Sequence, residues 1–317
     1  MPKTKSIDKD DQLYNIFNAT GDEIFNMTIA SNFKFNKSNV EDIKNLALND
    51  FNRIMNVVTD GKWHNLKSKH YELRLGKLQY GQTGLYYKFK EHFYQRKNTN
   101  KIILDIENIK NGKGSIYGQS GKVNPNQMSN DLVIDTYTTL MHEIFHSIEE
   151  NKFKIHRKEK KLLRGGNTDI FSEGAGRFIE VYIRSILEIK NPNHNNWKDL
   201  TKDEFLKNFI NFDISKIVNQ IPDKSNSNFR PKDVYKDIKS KISNLSPYDQ
   251  GLFLFSINYI DSESFSDTLK KIYRFGRKHK TSRRYLYKKF LKENIKSNYN
   301  NIIKFRDEVQ NSIKNNP

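Results

Sequence analysis

The chain contains no cysteine. Disulfides and thiolate metal ligands are therefore excluded, while the redox compartment stays open, because a secreted protein can lack cysteine as readily as a cytosolic one. Long apolar runs are missing too. The first 20 residues, MPKTKSIDKDDQLYNIFNAT, hold no apolar core of a signal peptide. No segment approaches the ~18 apolar residues of a membrane span. The expectation is a soluble protein without a transmembrane segment, either cytoplasmic or exported by a route that reads no N-terminal signal. Hydrophobic residues make up only 35%, so aromatics, at 12% and mainly Phe (21) and Tyr (16), carry much of the burial. Acids are outnumbered by Lys and Arg, 37 against 55, and the net charge is +18. No internal repeat is evident.

What is present is concentrated at Asp131–Lys152, DLVIDTYTTLMHEIFHSIEENK. Neither Gly nor Pro interrupts it, and Val133, Tyr137, Leu140, Ile144 and Ile148 recur at helical spacing. Asp135, Thr139, His142, His146 and Glu149 form a narrow polar stripe on an otherwise apolar cylinder. His142, Glu143 and His146 spell H-E-x-x-H. Residues four apart on a helix lie one above the other, so both imidazoles point the same way. Two neutral imidazoles one turn apart can reach one Zn²⁺ at about 2.0–2.1 Å, and a catalytic zinc takes three protein ligands with a position left open. Glu143, beside the first histidine, is placed to take a proton from water acidified by such an ion.

A third ligand must come from elsewhere. Thr168–Leu187, TDIFSEGAGRFIEVYIRSIL, reads as a second helix with Thr168, Asp169 or Ser172 as N-cap. Its buried face is Phe178, Ile179, Tyr182, Ile183 and Ile186. Gly174 and Gly176 leave its start without bulk, allowing close approach to the first helix. Glu173 there is either the third ligand or an ordinary first-turn carboxylate favoured by the helix dipole.

H-E-x-x-H followed by S-E-G-A-G-R-F-I-E resembles the gluzincin metallopeptidases, within the peptidase MA-like and aminopeptidase-N-like group, whose second motif often runs E-G-x-A-x-[YF]-x-E. The resemblance implies a single zinc ion held by His142, His146 and Glu173, with Glu143 as general base and Glu180 as the trailing acid. Two features depart from the pattern. Twenty-six residues separate His146 from Glu173, against roughly eighteen in the thermolysin-like and aminopeptidase-N-like branches. Arg177 stands where some branches place an acid that supports a zinc-bound histidine. Ser246–Ile260, SPYDQGLFLFSINYI, is similar to the Y-x-K-G element of these enzymes, with Gln250 replacing the lysine. The resemblance implies that Tyr248 donates to a developing oxyanion; packing on Leu252 and Phe253 explains the same residue equally well. No G-x-M-E-N stretch for seating a free amine is found, which favours an endopeptidase or a peptidase of narrow specificity.

Other segments read more plainly. Residues 1–30 are polar and weakly patterned, the expectation being a partly ordered arm. Asn39–Val58 is an amphipathic helix with Val40, Ile43, Leu46, Phe51, Ile54 and Val57 inside, ended by Thr59-Asp60-Gly61. Alternation between His70 and Phe89 suggests strands joined by a turn at Gly81–Gly84. Lys101–Ile109 is the clearest strand. Ser115–Val123 is expected as an edge strand, and the resemblance implies that it holds substrate by strand addition. Lys152–Arg164 carries seven Lys or Arg against Glu159 alone, and His156 within it reads as solvated.

Lys270–Pro317 has 15 Lys or Arg against 3 acids. A solvated basic face, nucleic acid, an anionic membrane surface or acidic substrates would each account for this excess. No helix-turn-helix, RNP-type or zinc-finger signature accompanies it. The fold class expected is α+β of the zincin type, a small mixed sheet leading into the metal-binding helix pair and then a helical C-terminal half. The corresponding division is 1–128, 129–190 and 191–317. The function expected is a zinc metallopeptidase acting on peptide or protein substrates. The alternative is a catalytically silent protein of that fold binding nucleic acid or an anionic surface through its basic C-terminal region.

Overall fold

The computed structural model describes residues 9–31, 34–78, 82–90, 98–111, 128–152, 170–189, 240, 247–262, 264–278, 289, 293 and 299–314. Most of these residues are helical, and one three-stranded mixed sheet accompanies the helices, an α+β composition. The elements are α1 (Lys9–Ser31), α2 (Lys37–Val58), β1 (Tyr71–Leu75), β2 (Gly84–Lys90), β3 (Asn98–Leu104), α3 (Ile106–Lys110), α4 (Met128–Lys152), α5 (Ile170–Ile189), α6 (Pro247–Asp261), α7 (Phe265–Lys278) and α8 (Tyr299–Lys314). The chain divides into two compact units, Met1–Ser147 with Ile186–Asp199 and Ile148–Ser185 with Leu200–Pro317.

In the first unit, the N-terminal residues are not an arm from Lys9 onward. They form α1, which buries Leu13, Ile16, Phe17 and Ile24. Four apolar positions among many polar ones gave too weak a periodicity to see, but α2 covers them. The α2 helix starts two residues earlier than expected, because Asn36 accepts a capping bond from the Asn39 amide at 2.9 Å. Of its predicted inner residues, Val57 is only half-buried, and Val58 takes the inner place. It ends where Asp60 (φ 56°) and Gly61 (φ 74°) adopt the left-handed conformation, a common helix stop.

The expected hairpin between His70 and Phe89 does not form. The strand order is β1-β3-β2, with β1 parallel to β3 and β2 antiparallel to it. Alternation assigns each strand a buried face but says nothing of its partner. The strand expected at Lys101–Ile109 stops at Leu104, because the Asp105 carboxylate caps α3 by accepting from the Asn108 amide at 2.9 Å. Asp105 also accepts from the Leu78 amide at 2.8 Å, fixing the segment after β1. Ser115–Val123, Phe153–Arg164 and most of 191–246 lie outside the described residues.

Two polar links tie α4 into this unit. Asp50 on α2 accepts from the Tyr137 hydroxyl at 2.9 Å and from the Thr20 hydroxyl, joining α1, α2 and α4. The Tyr71 hydroxyl of β1 is 2.7 Å from the Ser147 hydroxyl, next to His146. Burial pushes Tyr71 up to about 12. Burial is also the largest influence on Asp50 and raises its carboxyl above the ordinary range, against the bonds from Thr20 and Tyr137. Folding thus favours its protonated form. Its contribution to stability is fully present below the ordinary carboxylate range and is lost as pH rises through the raised value. Tyr137→Phe removes one donor from this buried acid and is expected to cost about 1–3 kcal/mol by denaturant unfolding.

The second unit is built on aromatic packing. Phe178 of α5 meets Phe255 and Tyr259 of α6 and Phe265 of α7, at ring separations of 5.6–6.2 Å. Tyr182 stacks on Phe265 at 3.4 Å. Phe253 meets Phe305 of α8 at 5.5 Å. The α6 helix is buried nearly all round from Leu252 to Ile257, where every residue but Ser256 is apolar. No helix among the described residues is long and apolar enough to cross a membrane.

Candidate metal centre

The polar stripe of α4 is largely covered. Thr139, His142 and Glu143 are buried, the latter two 6% exposed each, while Asp135 and His146 are half-buried. The His142 and His146 rings stand 4.7 Å apart in an edge-to-face arrangement at 74°, as residues one turn apart on a regular helix should. Hydroxyls of Thr136 and Ser147 are turned back onto the helix. Thr136 donates to the Leu132 carbonyl at 2.8 Å and Ser147 to that of Ile144 at 2.7 Å.

One ligand-type atom from each of His142, His146 and Glu173 lies within 4.8 Å of the others. Among the described residues, no other group of three His, Cys, Asp or Glu is assembled this way. A tetrahedral ion with bonds of about 2.0–2.1 Å holds its ligands about 3.4 Å apart, so adjustments of about an ångström suffice to close the set. Two imidazoles and one carboxylate, with no thiolate, suit a divalent metal of borderline hardness. Glu143 is outside this trio, one residue along the helix from His142.

Glu173 is half-buried in the first turn of α5. The small residue after it serves a partner other than the one expected. Gly174 lies against Gly251 of α6, so closely that a methyl group on Gly174 would come within 2.2 Å of the Gly251 Cα. At Gly174, at least, the absence of bulk admits α6. Tyr248 stands three residues before that crossing, 39% exposed in the first turn of α6. Gly251, noted in the sequence only as part of a tyrosine motif, is half of a helix crossing. Arg177 and Glu180 pair with each other along α5 at 3.0 Å.

Gly84, which the sequence marks only as part of a turn, lies against Glu143. It opens β2, an edge strand of the sheet, and a Cβ there would fall 2.6 Å from Glu143 Oε1 and 2.8 Å from Thr139 Cγ2. Only a residue without a side chain lets the strand pass over this carboxylate. Gly84→Ala should displace Glu143 by about an ångström, and any hydrolysis that depends on this carboxylate should fall about 10²-fold with metal content unchanged. Steady-state kinetics beside elemental analysis would show it.

Compared with known proteins, the chain matches no family model, no curated protein and no solved structure.

Proposed function

We propose that this chain is a zinc-dependent metallopeptidase of the gluzincin type, built on a zincin-like fold and acting as an endopeptidase. The observation that carries the reading is the convergence of His142, His146 and Glu173, with a buried carboxylate, Glu143, next along the same helix. The first three would hold the ion. Zinc in such a site supplies Lewis-acid polarisation of a carbonyl and acidifies water. Glu143 would take the proton of the attacking water and return it to the departing amine nitrogen, a role that usually contributes about 10²–10⁴-fold. Tyr248, exposed beside the Gly174–Gly251 crossing, would donate its hydroxyl hydrogen to the developing oxyanion.

Metal removal tests the reading directly. A strong chelator should abolish cleavage of a peptide substrate, and stoichiometric Zn²⁺ should restore it. His142→Ala should copurify with less than about a tenth of the zinc of the wild type, because two protein ligands hold zinc poorly. Full activity after verified metal loss would remove the basis for this function.

A further inference from the structure

The α7 helix is divided more sharply than any other among the described residues. Phe265, Leu269 and Ile272 are buried, whereas Lys271, Arg274, Arg277 and Lys278 are exposed and Lys270 is half-buried. Asp267, in the first turn, is its only acid. At a rise of 1.5 Å per residue the cations cover about 12 Å, the length of roughly four residues of extended peptide. Two of them are already held in place. The Arg277 guanidinium sits over the Tyr273 ring at 5.7 Å, and Lys271 donates to the Ser262 hydroxyl at 2.9 Å.

This face is fastened to the helix that carries Glu173. Phe265 stacks on Tyr182 of α5, and Phe275 packs at 5.7 Å from Phe171, two residues before Glu173. The basic end of α7 therefore lies beside the first turn of α5. With its apolar side used up in packing, α7 offers outward charge and no apolar wedge, which suits an extended anionic chain.

We propose that the outward face of α7 is a docking surface for acidic stretches of the substrate, so that the enzyme prefers proteins with a short run of Asp or Glu away from the cleaved bond. This rests on the peptidase reading above. Attachment to α5 is the reason to favour a substrate segment over a nucleic acid, since an anion held on α7 is brought to the end of α5 that bears Glu173.

The test uses metal-loaded protein carrying Glu143→Gln and two fluorescein-labelled peptides that differ in a block of about four Glu or four Gln. Anisotropy should show the acidic peptide binding at least about tenfold more tightly at about 50 mM salt, the gap closing near 500 mM. Arg274→Gln/Arg277→Gln/Lys278→Gln should reduce the gap to about twofold at unchanged melting temperature. Arg274→Gln/Lys278→Gln, which spares the Arg277–Tyr273 contact, should reduce it in part. The protein with Glu143 intact should cleave the acidic peptide with a kcat/KM about tenfold higher. Equal affinities, a gap that survives both variants, or an oligonucleotide bound in place of any acidic-peptide preference would overturn the proposal. Equal cleavage of both peptides removes the docking surface and leaves the peptidase standing. Cleavage of neither peptide by zinc-loaded protein removes the peptidase reading and the docking surface with it.

Discussion

Glu143→Gln is expected to lower peptide hydrolysis by about 10²–10⁴-fold while zinc remains at its wild-type content. The amide keeps the shape and volume of the carboxylate beneath Gly84, where β2 leaves no room for a larger group. It also lies outside the trio of ligand-type atoms, so the imidazoles and Glu173 keep their hold. What it loses is the ability to accept a proton. Paired kinetic and metal assays separate this outcome from simple unfolding, in which both would fall together. An amide variant that turns over substrate at the wild-type rate would exclude Glu143 as the base.

Gly174→Ala is expected to be one of the most damaging single methyl groups that could be added among the described residues. The new carbon would meet the backbone of α6, 2.2 Å from the Gly251 Cα and 2.8 Å from its carbonyl carbon. No rotamer change relieves a clash between main chains, so α5 and α6 must move apart. Overpacking of this kind costs about 1–3 kcal/mol and often more. The functional loss should exceed the stability loss, because Glu173 is the adjacent residue and moves with the helix. The result expected is a zinc affinity weakened by about 10²-fold or more in folded protein, read by competition with a chromogenic chelator. Gly76→Ala is the matched control. Its Cβ would meet only Ile103 Cγ2, at an ordinary 3.7 Å, so it should melt and bind metal as the wild type does.

These two residues mark where sequence and structure part. His142 and His146 announce themselves because four residues make about one helical turn, and the intervening apolar residues guarantee the helix. Residue type and the small residues after it made Glu173 a candidate, a resemblance singled it out as a ligand, and the reason for Gly174 was not legible at all. Its partner, Gly251, lies 77 positions along the chain, and nothing local distinguishes a glycine that admits α6 from one that admits α4. Gly84 was legible only as part of a turn. Its closeness to Glu143 depends on β2 pairing with β3 and on the sheet meeting α4, both long-range outcomes.

The sequence by itself therefore determined the helical periods, the buried faces, the α+β composition and the residue types able to grip a metal. Each of these follows from side-chain chemistry and from backbone repeats a few residues long. Only the tertiary structure decided that β3 lies between β1 and β2, that α1 is packed rather than loose, and which backbone passes over Glu143. Those choices are made by complementary surfaces distant in the chain, and a surface pattern does not name its partner.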